Sequence, residues 1–153
     1  MSESIKLHTA TTSDLEDILQ LLTAQFHEHG IDLPATLLRD AVAAMFEKDD
    51  LGFFVVARAG GQAVGLAAVS FAWTLEHGGK SAWLDELYVL PEQRGRGTGT
   101  ALVHETVRVA AEAGCAAVDL EVDRDHRRAE ALYAREGFQP LPRSRWVHPL
   151  GEK

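Results

Sequence analysis

Residues 91–100 read Pro-Glu-Gln-Arg-Gly-Arg-Gly-Thr-Gly-Thr, with glycines at alternate positions 95, 97 and 99 beside Arg94 and Arg96. Glycine keeps side chains away from the backbone, so consecutive N–H groups can converge on an anion, and the two arginines supply matching charge. Placed before a helix, whose first N–H groups have no internal partner, such a turn reads as a pyrophosphate cradle, with a flexible loop as the alternative. Two familiar phosphate loops do not fit it. A Walker A loop needs Lys-Ser/Thr after its last glycine, where this chain has Thr100-Ala101. A dinucleotide fingerprint is G-x-G-x-x-G after the first strand, whereas here G-x-G-x-G follows a strand deep in the chain.

A second set of residues could move protons. Asp85, Glu86 and Glu121 are carboxylates on strand-like segments, and Tyr133 is a phenol protonated at neutral pH. Successive strand residues point to opposite faces, so only one of Asp85 and Glu86 can face a given site unless a bulge intervenes. Each acid also reads as a solvated group or an arginine partner, and Tyr133 as an aromatic packed on a helix face. His27-Glu28-His29 imitates a metal cluster, but i and i+2 diverge on a helix and no third ligand matches, so no metal is expected. Cys115 reads as a small buried hydrophobe, and Trp73 and Trp83 as core or pocket wall.

The elements that must position these groups are those of a mixed α/β chain. Ile5-Lys6-Leu7-His8 forms a short strand, and Ser13-Asp14-Leu15-Glu16 is a capping-box pattern before Leu15, Ile18, Leu19, Leu22 and Phe26 at helical spacing. A second helix begins near Pro34. Segments 53–57 and 63–73 flank Gly60-Gly61 as a hairpin. A strand at 81–89, a helix at 98–113 closed by Gly114 and a strand at 116–122 make a βαβ unit with parallel strands. A last helix spans 125–136 and a final strand 141–147. Ligands of such units bind at the carboxyl ends of the strands.

The 153 residues carry 15 basic and 23 acidic side chains, a formal charge of −8, which disfavours a sequence-independent nucleic-acid binder. Residues 1–50 hold ten acids against three bases, and the remainder is nearly balanced. No apolar run approaches 18 residues and no leader-like start is present, so a cytoplasmic protein with no membrane partner is expected.

Arg94-x-x-Gly97-x-Gly99, preceded by a strand ending at Val89 and by Pro91, resembles the coenzyme A loop of the GNAT superfamily of N-acetyltransferases. Leu120-Glu121-Val122 followed by Ala129-x-x-Leu132-Tyr133-x-x-x-Gly137-Phe138 resembles that family's downstream motif. The resemblance implies one domain over 1–153, with a central mixed sheet of about six or seven strands flanked by four helices. It implies acetyl-CoA as cosubstrate, with the pantetheine arm along Leu87, Tyr88 and Val89. The backbone of Gly95, Arg96, Gly97, Thr98, Gly99 and Thr100, beside Arg94, would hold the pyrophosphate. Tyr133 falls at the family's general acid, and Glu121, Glu86, Asp85 or a water chain would take the amine proton. His126 stands where the family usually has an Asn that helps hold the arm. The function so implied is acetyl transfer to a primary amine by direct attack. Set beside the acidic first 50 residues, it points to a small cationic acceptor. A protein acetyltransferase and a non-catalytic acyl-CoA sensor are the alternatives, and a homodimer is compatible with the family.

Overall fold

The computed structural model describes residues 4–151, which fall into two compact units, Met1–Leu120 and Glu121–Lys153. The first holds strands β1 (Ile5–Thr9), β2 (Gly52–Ala59), β3 (Gln62–Thr74), β4 (Gly79–Val89) and β5 (Val118–Leu120), and helices α1 (Leu15–Glu28), α2 (Ala35–Glu47) and α3 (Thr98–Glu112). The second holds α4 (Arg127–Arg135). The five strands form one sheet in chain order, antiparallel from β1 to β4 and parallel between β4 and β5.

The sheet buries both faces, which strand alternation makes possible. On one face Phe54, Val56, Leu66 and Tyr88 pack with Ile18 and Leu22 of α1 and Leu38 and Val42 of α2. The residues between them, including Val55, Ala67 and Val69, point the other way, where α3 contributes fully buried Leu102, Val103, Thr106 and Ala110. Gly60 and Gly61, both at positive φ, make the two-residue turn expected between β2 and β3.

Four expectations need correction. Among the described residues the sheet has five strands, not six or seven, and no strand forms at 141–147. There Leu141, Trp146 and Val147 are exposed: β-favouring residues without a paired neighbour stay irregular, and Pro140 and Pro142 remove two donors. β5 has three residues instead of seven. The start of α1 is preceded by a 3-10 turn at Thr12–Asp14, and the capping contact is made two residues earlier than the sequence pattern has it. The Thr11 N–H donates to Asp14 Oδ2 at 2.9 Å. Trp73 is not core; its ring is exposed at the far end of the β3–β4 hairpin and lies against Gly79.

Candidate active site

The site begins with a fault in a ladder. Ala68 of β3 pairs with Glu86, but the next residue, Val69, pairs with Leu84, so Asp85 is an extra residue bulged out of β4. A bulge reverses the phase with which backbone groups alternate between the two edges of a strand. Before it, the Ala82 N–H donates to Ala117 O at 3.0 Å and Lys80 O accepts from Ala116, so even-numbered residues face β5. After it, the Leu90 N–H donates to Val64 O at 2.9 Å, so even-numbered residues face β3. Leu87 and Val89 therefore direct their N–H and C=O groups to the opposite edge, where β5, paired only with residues 82–84, no longer runs. The carboxyl end of β4 is an open edge.

Side chains confirm that direction. Leu87 O accepts from Gln25 Nε2 at 3.3 Å, and Val89 O accepts from Arg94 Nε at 2.9 Å. Gln25 is buried in the last turn of α1 and its Oε1 has no hydrogen-bond partner among the described residues. Tyr88 faces the other way: its backbone is directed to β3, and its buried ring belongs to the core under α1 and α2. Burial first, and then the negative charge of the neighbouring Glu28 carboxylate, push the Tyr88 phenol up.

The open edge runs directly into the glycine turn. Gly95 (φ +79°) and Gly97 (φ +85°) hold left-handed conformations with nothing within 4 Å of where a Cβ would stand. Gly99 differs from them, being an ordinary helical residue in the first turn of α3. The first helical bond is Ala101 N–H to Gly97 O, at 3.0 Å, and no side chain caps the helix. The N–H groups of Thr98, Gly99 and Thr100 therefore lack helical acceptors at the positive end of a 15-residue helix. Thr98 itself is buried, its Oγ1 unpartnered.

The loop arginines differ. Arg94 Nη2 lies 3.1 and 3.0 Å from the two carboxylate oxygens of Glu28, and its Cζ is 5.5 Å from the Tyr88 ring centroid. Arg96 is exposed and has no hydrogen-bond or ion-pair partner among the described residues. Gln25 is absent from the sequence candidates and Glu28 enters only through the rejected His27-Glu28-His29 cluster, because 62 and 66 residues separate them from their partners. Only Gln25 left a signal, as an amide on the apolar stripe that carries Ile18 and Leu22.

Two of the proton-handling candidates, Glu121 and Tyr133, lie in the second unit. Glu121 follows the end of β5, so strand alternation no longer governs it, and its Oε1 accepts from Arg145 Nη1 at 2.9 Å. Tyr133 on α4 packs edge-to-face on Phe138, with centroids 5.8 Å apart, and burial pushes its phenol up. It therefore stays protonated through neutral pH, as a proton donor must. His126 is the N-cap of α4: Nδ1 accepts from the Ala129 N–H at 3.1 Å, a bond that a protonated ring cannot make. In the first unit Asp85 is exposed and Glu86 half-buried, on opposite sides of the bulge step. No group of three or more metal-ligating side chains occurs among the described residues.

A surface cavity of about 630 Å³ at the other edge of the sheet is lined by Lys6, His8, Arg58, Gly60 and Gly61. Its arginine is spent: Arg58 Nη2 holds Asp14 at 2.6 Å and Asp17 at 2.8 Å. Among the described residues no helix is long and apolar enough to cross a membrane.

A family model described as the acetyltransferase (GNAT) family matches residues 15–138. An uncharacterized N-acetyltransferase of Methanocaldococcus jannaschii is 30% identical over 138 residues, 87% of this chain but 60% of that protein, so this chain spans less than two thirds of its length. The thialysine N-epsilon-acetyltransferase of Mus musculus is 28% identical over 92% of this chain and 88% of its own. In structure, an integron cassette protein from the mobile metagenome of Cole Harbour Salt Marsh superposes with a TM-score of 0.85 at 25% identity, covering 96% of this chain and 91% of that one. With the mixed sheet, the bulged fourth strand and the glycine turn at the head of α3, these matches place the chain in the acetyltransferase (GNAT) family of enzymes.

Proposed function

We propose that the chain transfers the acetyl group of acetyl-CoA to the primary amine of a small molecule. The observation that carries this reading is the continuity of two backbone donor arrays. The open edge of β4 at Leu87 and Val89 leads through the Gly95–Gly97 turn into the uncapped start of α3. An extended arm bearing carbonyls suits the first array and a diphosphate suits the second. Residues 1–153 act as one catalytic domain in this reading, since the family match runs from the first unit into the second.

The amine nitrogen, entering neutral, attacks the thioester carbonyl carbon. A C–N bond forms, the C–S bond breaks, and N–H groups at the β4 edge stabilise the developing oxyanion. The amine's proton leaves to Glu86, Asp85, Glu121 or water, and the Tyr133 hydroxyl protonates the departing thiolate, giving free coenzyme A. His126 holds the start of α4, which carries Tyr133, through its N-cap bond.

The acceptor's charge is the finer part. Of the ten acids in residues 1–50, Asp14, Asp17, Glu16 and Glu28 are paired with Arg58, Arg39 and Arg94. Asp32, Asp40, Glu47, Asp49 and Asp50 remain exposed on and around α2, enough to favour a cationic amine by long-range attraction. Release of free thiol from acetyl-CoA, measured over spermidine, an aminoglycoside, thialysine and the anionic 2-aminoethylphosphonate, tests both parts. Turnover strongest with the cations and weakened by salt is expected. Preference for the phosphonate would reject the cationic acceptor alone. Tight coenzyme A binding without thiol release from any amine would identify a sensor.

A further inference from the structure

Arg94 and Arg96 sit two residues apart in the same loop and read in the sequence as a pair of phosphate-binding cations. Their surroundings separate them. Three observations converge on Arg94: both carboxylate oxygens of Glu28 lie within 3.1 Å of its Nη2, its Nε donates to Val89 O at 2.9 Å, and its guanidinium lies over the Tyr88 ring. One carboxylate in the last turn of α1 thus holds the arginine that in turn holds the end of β4. One turn earlier on the same helix, Gln25 holds Leu87 O. Both outward carbonyls of the open edge are thus engaged by polar side chains, one from α1 directly and one through an arginine anchored on α1. A guanidinium whose charge is met by a carboxylate has little left for a phosphate.

We infer that the two arginines have different jobs: Arg96 meets the phosphates of the cosubstrate, whereas Arg94 is a positioning residue, locked by Glu28, that fixes the loop against the open edge of β4. This rests on the reading of acetyl-CoA as the donor. Glu28 then acts at a distance, because it orients Arg94 without touching the cosubstrate, and the last turn of α1 becomes part of the cosubstrate site.

The test compares E28Q, R94Q, R94K, R96Q and the double variant E28Q/R94Q. Its readouts are the KM for acetyl-CoA, kcat, and binding of coenzyme A and of adenosine 3′,5′-bisphosphate at low and high salt. R96Q is expected to weaken both ligands about equally, with the loss shrinking as salt rises. E28Q and R94Q are each expected to raise the acetyl-CoA KM roughly three- to tenfold, the scale of one ordinary hydrogen bond or one partly exposed ion pair, with kcat nearly unchanged. The double variant should be no worse than R94Q alone, since removing Arg94 already breaks its contact with Glu28. R94K decides the matter: a lysine keeps the charge but not the fork, so a positioning role makes it behave like R94Q. Wild-type affinity in R94K beside a salt-sensitive loss in R94Q would make Arg94 a phosphate ligand and overturn the inference. An unchanged KM in E28Q would overturn it as well. If the wild type binds coenzyme A and turns over while the Glu28 and Arg94 variants match it, only this inference falls. If the wild type neither binds coenzyme A nor releases thiol, the functional reading falls first.

Discussion

Residues 82–84 of β4 are paired on both sides, with β3 and with β5, while residues 86–89 of the same strand are paired with β3 alone. Both stretches are strand-like in sequence, Ala-Trp-Leu before the break and Glu-Leu-Tyr-Val after it. What separates them is one extra residue, Asp85, which turns the hydrogen-bonding phase of the strand over just where β5 ends. The paired half holds the sheet together; the half-paired end offers backbone donors to a ligand. In the proposed reaction the same division holds at larger scale, since the cosubstrate would meet mainly main-chain groups of the first unit, while Tyr133 of the second unit would work through its side chain.

That contrast can be broken at several points. The largest effect is expected from Tyr133→Phe: if the phenol is the acid, kcat falls about 10²- to 10⁴-fold while coenzyme A affinity stays unchanged. Because burial holds this phenol above its ordinary pKa near ~10, the basic limb of the wild-type kcat profile attributable to it should lie above that value. Unchanged turnover in the variant would remove Tyr133 from the chemistry and leave the backbone site intact. Next is Leu102→Ala, which opens a cavity under α3 and should cost about 2–5 kcal/mol in denaturant unfolding. That cost is global and does not discriminate between the halves of β4.

At the far edge of the sheet, Asp14→Asn serves as the contrast. Burial alone would raise the Asp14 pKa, but the Thr11 N–H, Arg58 and His8 outweigh it and hold the carboxyl below its ordinary value. Its contribution to stability is then present above the unfolded carboxylate pKa, near ~4, and is lost as pH falls through the folded value. The variant should be roughly 1–3 kcal/mol less stable at pH 7, with the difference vanishing in acid and with no change in the acetyl-CoA KM. The smallest effect is expected from Gly97→Ala. A left-handed alanine costs about 1–2 kcal/mol, so the KM for acetyl-CoA should rise roughly tenfold with the melting curve little altered.

The parts of this molecule that the sequence displayed are those with local causes. Gly60-Gly61 between two apolar runs marked the hairpin, and the glycine turn before 98–112 marked the start of α3. The helical spacing of Leu15, Ile18, Leu19 and Leu22 marked α1. Where two local solutions competed, the pattern misled by two residues: Thr11 and Asp14 make the capping contact that Ser13 and Glu16 also advertise. The final strand at 141–147 failed for a different reason, since alternation and β-propensity describe a segment and not whether a neighbour is there to pair with it. The bulge at Asp85 was raised only as a condition on the two acids, because the residues of a bulge have no distinctive identity here. The engagement of Arg94 by Glu28 had no local trace at all, being a contact across 66 residues, and it changes the meaning of a motif position that local spacing makes look like a phosphate ligand.

The claim that most of this rests on is that the edge of β4 beyond Asp85 receives the cosubstrate. The direct measurement is the backbone amide spectrum of the ¹⁵N-labelled chain titrated with coenzyme A. The amides of Leu87 and Val89 and those of residues 95–100 should shift and gain protection from exchange, while Ala82, already bonded to Ala117, should barely move. Shifts confined to Lys6, His8 and Arg58 around the cavity at the other edge, with Leu87 and Val89 unchanged, would contradict it.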